Sequence, residues 1–147
     1  MINPNDSHSH ICLLMATLNG EKFLAEQLQS IENQIHKNWR LVISDDGSSD
    51  STVEISKQFQ QELGNGRVEI RKGPKQGFCQ NFLSMACDTN IRADFYAFSD
   101  QDDVWMVDKL AEAIKYFEES NESLLPRVYC GRTIITDENL KPIGLSP

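Results

Sequence analysis

Long apolar stretches are absent from the 147 residues: the longest runs, such as ICLLMA at residues 11–16, fall far short of the ~20 residues of a membrane-spanning helix. Basic residues are scarce as well, with 14 Lys and Arg against 22 Asp and Glu and a net charge of −8. That balance excludes a general nucleic-acid binder, because phosphate-backbone binding needs an excess of positive charge. It leaves open a single nucleotide, which a few local groups or a metal can meet. The four cysteines (Cys12, Cys79, Cys87 and Cys130) form no CxxC pair and lie mostly in apolar segments, so they read as reduced core thiols rather than a zinc site or a disulfide framework. His8, His10 and His36 stand at no metal-ligand spacing with a carboxylate or thiol. The N-terminus, MINPNDSHSH, lacks the basic-then-apolar pattern of a secretory signal, which makes the cytoplasm the expected compartment. No glycine-rich phosphate loop follows the first apolar run, and no GxSxG elbow occurs.

What is present is a regular alternation. After a lead-in over residues 1–10 that reads as disordered, short apolar runs stand at ICLLMA, WRLVIS, RVEIR and DFYAF. Between them lie segments with helical spacing: Leu24, Leu28, Ile31 and Ile35; then Ile55, Phe59 and Leu63 behind an N-cap at Asp50; then Phe78, Phe82, Met85 and Ala86. A fourth helix is expected over DKLAEAIKYFEES and a fifth strand over RVYCGRTIIT, with DENLKPIGLSP as a loop leading onward. Near-continuous apolar strands alternating with helices predict an α/β fold, a mainly parallel sheet covered on both faces. The chain also lacks a closing helix, so the expectation is the N-terminal part of a longer domain, truncated on its C-terminal side.

Ligands of such sheets sit beyond the carboxyl ends of the strands. The polar clusters fall there: TLNGE after the first strand, SDDGSSD after the second and SDQDD after the fourth. Each has an ordinary reading beside a functional one. Turn and cap chemistry accounts for Gly47, Ser48, Ser49 and Asp50, but a turn needs only one carboxylate, and Asp45 and Asp46 supply two. One of them can accept from a planar N–H donor such as the imide of uracil or thymine. Asp100 and Asp102 point two hard oxygen ligands at one place, which suits Mg²⁺ or Mn²⁺ bridging a diphosphate; in the ordinary reading they face water and Asp103 or Asp108 caps the next helix. TLNGE is either a turn or a loop whose backbone cradles a nucleobase. Arg71, Lys72 and Lys75 are expected on the loop after the third strand, solvated or balancing phosphate charge. Trp105 is either a core or hinge aromatic or a wall of the donor pocket.

Taken in order, ICLLMATLNGEKFLAEQLQSIENQIHKNWRLVISDDGSSDST, KQGFCQNF and ADFYAFSDQDDVWMVDKL resemble successive landmarks of the family 2 glycosyltransferases, across roughly residues 11–120. FSDQDDVW is similar to the bacterial subgroup that includes rhamnosyltransferases of surface polysaccharides. The resemblance implies a Rossmann-like GT-A fold and inverting transfer from a nucleoside-diphosphate sugar (UDP- or dTDP-linked, dTDP-rhamnose among the candidates) to a saccharide or lipid-linked hydroxyl. It also implies site roles. Ala16, Thr17 and Asn19 would lie against base and ribose, with Glu21 near them at the start of the first helix. Asp46 would accept from the base imide with Asp45 close by. Asp100 would sit at the ribose or metal, and Asp102 would ligate Mg²⁺ or Mn²⁺. The family's general base lies downstream and no residue here matches it, Asp137 and Glu138 being the nearest candidates; the catalytic residue is therefore unassigned. Residues 11–147 are accordingly expected to be a donor-binding part without its acceptor part, impaired in catalysis alone. A peripheral contact with the inner face of the bacterial membrane would come through that absent region.

Two rivals remain on the sequence alone. One is a non-catalytic nucleotide-sugar-binding or protein-interaction module on the same fold. The other is a phosphoryl receiver domain, which needs its acidic pair after the first strand and a lone Asp after the third; here the pairs follow the second and fourth.

Overall fold

The structure, a computed structural model, describes residues 9–119 and 126–146. The lead-in expected over residues 1–10 lies, up to residue 8, outside the described residues. His10 is already tied to the body of the chain, its N–H donating to the Asp94 carboxylate at 2.8 Å.

Two compact units divide at residues 112 and 113. The first carries the sheet. Its strands are β1 (Ile11–Thr17), β2 (Trp39–Asp45), β3 (Val68–Lys72) and β4 (Phe95–Ser99), all paired in parallel in the order β3-β2-β1-β4. Its helices are α1 (Leu24–Glu32), α2 (Thr52–Leu63) and α3 (Phe78–Ala86); α4 (Lys109–Glu119) starts within it. The chain steps one way from β1 to β3, then returns past β1 to lay down β4. Right-handed crossovers therefore put α1 and α2 on one face of the sheet and α3 on the other. The reversal between β1 and β4 is a topological switch point, which opens a crevice at the carboxyl ends of those strands.

Burial follows the two-residue strand period. Cys12, Leu14 and Val42 pack with Met85 of α3 and Ile91, and Ala16, Phe82 and Ala93 border that cluster. Leu13, Met15, Leu41 and Ile43 alternate with them, face the opposite side and are likewise fully buried. α1 contributes Leu24, Leu28 and Ile31, as the spacing predicts, but the helix ends at Glu32 and Ile35 is exposed.

Two buried glutamines of this region replace the apolar filling that the pattern suggests. Gln27 donates from Nε2 to Ser99 Oγ at 2.7 Å and accepts from Ser30 Oγ at 2.8 Å. Gln34, just past α1, donates to the Ser30 and Met106 carbonyls at 3.1 and 2.8 Å and accepts the Leu110 N–H at 3.1 Å. Together with the Trp105 N–H on Ser30 Oγ at 3.0 Å, they hold the segment after β4 against α1.

The second unit holds a hairpin of β5 (Ile134–Thr136) with β6 (Pro142–Leu145). This corrects the expected fifth strand over residues 127–136: only its last three residues form a strand, and they pair antiparallel with a segment expected to be loop. The turn between them is closed by Asp137, whose Oδ1 accepts the Asn139 and Lys141 N–H groups at 2.9 and 3.0 Å. A second correction concerns the cysteines. All four are free, but only Cys12 is a core thiol; Cys79, Cys87 and Cys130 are exposed. No helix among the described residues is long and apolar enough to cross a membrane.

Replacing Gln34 by Leu keeps the volume but leaves the Met106 carbonyl and the Leu110 N–H without their partner. Each orphaned group costs ~1–3 kcal/mol, so denaturant unfolding of Gln34→Leu is expected to show a loss of about 2–6 kcal/mol. The exposed Gln29→Leu change is expected to stay within about 0.5 kcal/mol of the parent.

Candidate functional site

The loop after β1 cannot form a helix at once, so the N–H groups of residues 18–21 need partners outside it. Side chains of two other rim loops supply them. The Leu18 N–H donates to Gln101 Oε1 at 2.9 Å, Asn19 to Ser48 Oγ at 2.9 Å, Gly20 to Thr52 Oγ1 at 2.8 Å and Glu21 to the Asp50 carboxylate at 3.1 Å. The lock is reciprocal: the Ser49 N–H donates to Asn19 Oδ1 at 2.9 Å and the Ser51 N–H to the Glu21 carboxylate at 3.0 Å. Asn19 takes a left-handed φ of 49°, a conformation its short amide tolerates. The expected N-cap at Asp50 is corrected by one residue: Ser51 is the N-cap of α2 and makes no side-chain cap bond, while Asp50, just before it, accepts the Thr52 N–H at 3.0 Å. The Asp50 carboxyl is held below the ordinary value, the Thr52 and Glu21 hydrogen bonds outweighing desolvation. The N–H groups of residues 18–21 are thus already engaged within the protein.

The paired aspartates after β2 divide their labour. Asp45 turns back into its own loop: Oδ1 accepts the Gly47 and Ser48 N–H groups at 3.1 and 2.9 Å, and Oδ2 accepts the Thr17 hydroxyl at 3.0 Å. Asp46 reaches outward to the loop after β3, accepting the Lys75 N–H at 2.6 Å and the Gly77 N–H at 2.9 Å. That loop passes so close that a Cβ on Gly73 would stand 2.7 Å from Asp46 Oδ1 and 3.0 Å from the Asp45 carbonyl. The basic residues divide too: Arg71 and Lys72 belong to β3, not to the loop, and Arg71 is paired with Asp88 at 2.8 Å.

Between these loops and the turn after β4 lies a cavity of about 350 Å³. Ala16, Thr17, Asp46, Asp100 and Asp102 line it, so most of the expected site residues converge there. Asn19, Glu21 and Asp45 are not among the lining residues; their side chains make the loop-to-loop bonds just described. Trp105 does not line it either and is buried, with the Lys109 ammonium 5.0 Å from its ring centroid. Gly77, Phe78, Asn81 and Phe82 of the α3 entry, together with Leu18 and Gln101, complete the wall. Composition and spacing did not single these out, since Phe78 and Phe82 read as one helical stripe and nothing in the pattern marked Asn81. Yet Asn81 is 1% exposed, binds the Ser44 carbonyl through Nδ2 at 2.7 Å, and has no partner for Oδ1 among the described residues. Phe78, by contrast, is 73% exposed at the mouth.

The lining carries three aspartates and no Lys or Arg. Loss of solvent, then the charges of Asp100 and Asp102, push the Asp103 carboxyl above its ordinary value, so the turn is electrostatically strained by its own side chains. No group of three or more His, Cys, Asp or Glu among the described residues forms a ready-made metal cage. Mg²⁺ and Mn²⁺ do not require one: beside a diphosphate, one or two carboxylates suffice, the remaining ligands being phosphate oxygens and water. The exposed Asp100 and Asp102 fit that donor set.

Comparison with known proteins accords with this geometry. The dTDP-rhamnosyl transferase RfbG of Shigella flexneri is 38% identical over 104 residues, which are 68% of this chain and 35% of the relative. The UDP-Glc:alpha-D-GlcNAc-diphosphoundecaprenol beta-1,3-glucosyltransferase WfgD of Escherichia coli is 30% identical over 119 residues, 78% of this chain and 44% of the relative. The chain thus spans well under half the length of these relatives. Among solved structures, the mannosyltransferase PcManGT from Pyrobaculum calidifontis, in complex with GDP-Man and Mn²⁺, superposes with a TM-score of 0.67 at 17% identity, over 76% of this chain and 33% of that one. S. aureus TarS 1–349 in complex with UDP gives 0.61 at 20% identity, over 80% and 38%. These neighbours share the GT-A type of parallel-sheet fold. The model for "Glycosyl transferase family 2" matches residues 12–141, and the chain belongs to that family.

Proposed function

We propose that this chain is the donor-binding part of an inverting glycosyltransferase, holding a nucleoside-diphosphate sugar in the rim cavity through a divalent cation on Asp102 and Asp100. The observation that carries the reading is the charge of the lining. A diphosphate adds negative charge to a cavity already lined by Asp46, Asp100 and Asp102 and by no basic side chain. Only a cation between them makes that assembly attractive.

In this reading the nucleoside lies toward Ala16, Thr17 and Asp46. The Asp46 oxygens each accept one backbone N–H, which leaves lone pairs for a base imide. Asn19, Glu21 and Asp45 act at one remove, by fixing the loops that shape this side. Phe78 and Phe82 supply apolar wall. When bound, Mg²⁺ or Mn²⁺ would neutralise the charge that grows on the departing diphosphate. No residue of this chain is assigned as the base that deprotonates the acceptor, so the reading for the chain itself is donor binding. Uracil- or thymine-linked donors, dTDP-rhamnose among them, and a saccharide or lipid-linked acceptor at the cytoplasmic face of a bacterial membrane are the substrates we infer. The named relatives, a dTDP-rhamnosyl transferase and a diphosphoundecaprenol-directed glucosyltransferase, support that choice.

Calorimetric titration with UDP, dTDP and GDP is expected to show binding of at least one only when Mn²⁺ is present. Asp102→Ala is expected to weaken it about tenfold or more, ~1.4 kcal/mol per decade, and Asp100→Ala to weaken it in the same direction. Binding that is indifferent to metal would remove the cation from the proposal, and absence of binding for all three nucleotides would remove the proposal and favour a protein-interaction module. Asp46→Asn is expected to cost stability as well as affinity. An amide turned to the Lys75 and Gly77 N–H groups can accept through one atom only, so thermal unfolding without ligand should report a loss of ~1–3 kcal/mol.

A further inference from the structure

Gln101 sits between the two aspartates assigned to the cation, and its side chain turns away from them toward the loop after β1. Oε1 accepts the Leu18 N–H at 2.9 Å while Nε2 donates to the Leu18 carbonyl at 3.1 Å, so one carboxamide pairs with both polar groups of a single residue. The amide lies against Gly20. A Cβ there would collide with Oε1 and stand 2.6 Å from Cδ and 3.1 Å from Nε2. A side chain at position 20 therefore fits only if the Gln101 amide moves aside, and no unusual φ is involved.

Leu18 is the residue after Thr17, and Thr17 is itself joined to the base side of the cavity: its carbonyl accepts the Asp46 N–H at 2.8 Å and its hydroxyl donates to Asp45 at 3.0 Å. A short covalent and hydrogen-bonded path thus runs from Asp46 through Thr17 and Leu18 to Gln101, and from Gln101 along the backbone to Asp100 and Asp102. β1 and β4 are adjacent in the sheet, but their paired register stops at Met15 and Ser99. Beyond that point the strand ladder no longer sets the separation of the two chains, and the Gln101–Leu18 pair is what continues it. No other side chain among the described residues bonds to both polar groups of Leu18.

We infer that Gln101 is a positioning residue which fixes the distance between the nucleoside side and the cation side of the cavity, so that a nucleoside joined to a diphosphate fits both at once. This rests on the donor-binding reading above. A linked ligand gains over its separate halves only if the spacing of the two subsites matches the linker. A side chain that sets the spacing therefore acts on the joined ligand and leaves each half nearly untouched.

Gln101→Met keeps the length and the contact with Gly20 but removes both hydrogen bonds. The freed Leu18 groups lie where water reaches them, so the variant is expected to fold and to melt close to the parent. Gly20→Ala displaces the same amide by a different route. Three ligands separate the possibilities, each followed by chemical-shift titration of the whole chain: the nucleoside alone, pyrophosphate with Mg²⁺, and the nucleoside diphosphate with Mg²⁺. In both variants the two halves are expected to bind within roughly twofold of the parent while the joined ligand weakens about tenfold or more. A variant that holds the joined ligand as tightly as the parent overturns the inference and leaves the donor-binding reading standing. Equal losses for halves and whole also overturn it, by showing a general structural defect. Failure of the parent to bind the joined ligand overturns both.

Discussion

Everything at the rim follows from the need to satisfy a run of backbone amides. Residues 18–21 leave β1 without entering a helix; the Gly20 N–H is buried, where an unpaired donor costs ~1–3 kcal/mol, while those of Leu18, Asn19 and Glu21 lie where water also reaches. Four side chains from two other loops meet that need: Gln101, Ser48, Thr52 and Asp50. The price is a rim rich in Ser, Thr, Asp and Asn; the return is that the loops after β1, β2 and β4 hold one another in place. Asp46 extends the same logic to the loop after β3 by accepting two of its amides. These bonds tie the loops to one another on the side of the cavity where we place the nucleoside, without any regular secondary structure there.

The second constraint is electrostatic. Parallel strands ending in SDD and SDQDD bring carboxylates together, and the cavity between them has no basic wall to offset them. Repulsion of this kind persists in a folded protein when something else repays it. For Asp45 and Asp46 the repayment is visible as hydrogen bonds from backbone and hydroxyl donors. For Asp100 and Asp102 it would come from a cation and the diphosphate that the cation bridges, which is why the proposed function places the metal at this turn and not at the other.

Much of the fold was legible because the strands are apolar through and through. ICLLMA, WRLVIS and DFYAF fall within one or two residues of β1, β2 and β4, and the alternation with helices implied the parallel sheet. Tertiary context decided the rest: Ile35 lies past the end of α1, and of the strand expected over residues 127–136 only Ile134–Thr136 forms. The site was legible at its carboxylates, since Asp46, Asp100 and Asp102 stand where the strands end. It was illegible at Gln101 and Asn81, because amide side chains look alike in sequence whether they are solvated or are bridging two loops. Gln27 on α1 and Gln34 just past it hid for the same reason, as polar letters that are fully buried.

Mn²⁺ is paramagnetic, and that property gives the most direct test of where the cation and nucleotide meet. Amide spectra of the chain would be recorded with Mn²⁺ alone and with Mn²⁺ plus the nucleoside diphosphate. The account predicts broadening centred on residues 100–102, reaching residues 16–18 and 77–82 across the cavity, and much stronger once the nucleotide is present. Broadening centred elsewhere, or unchanged by the nucleotide, would contradict it.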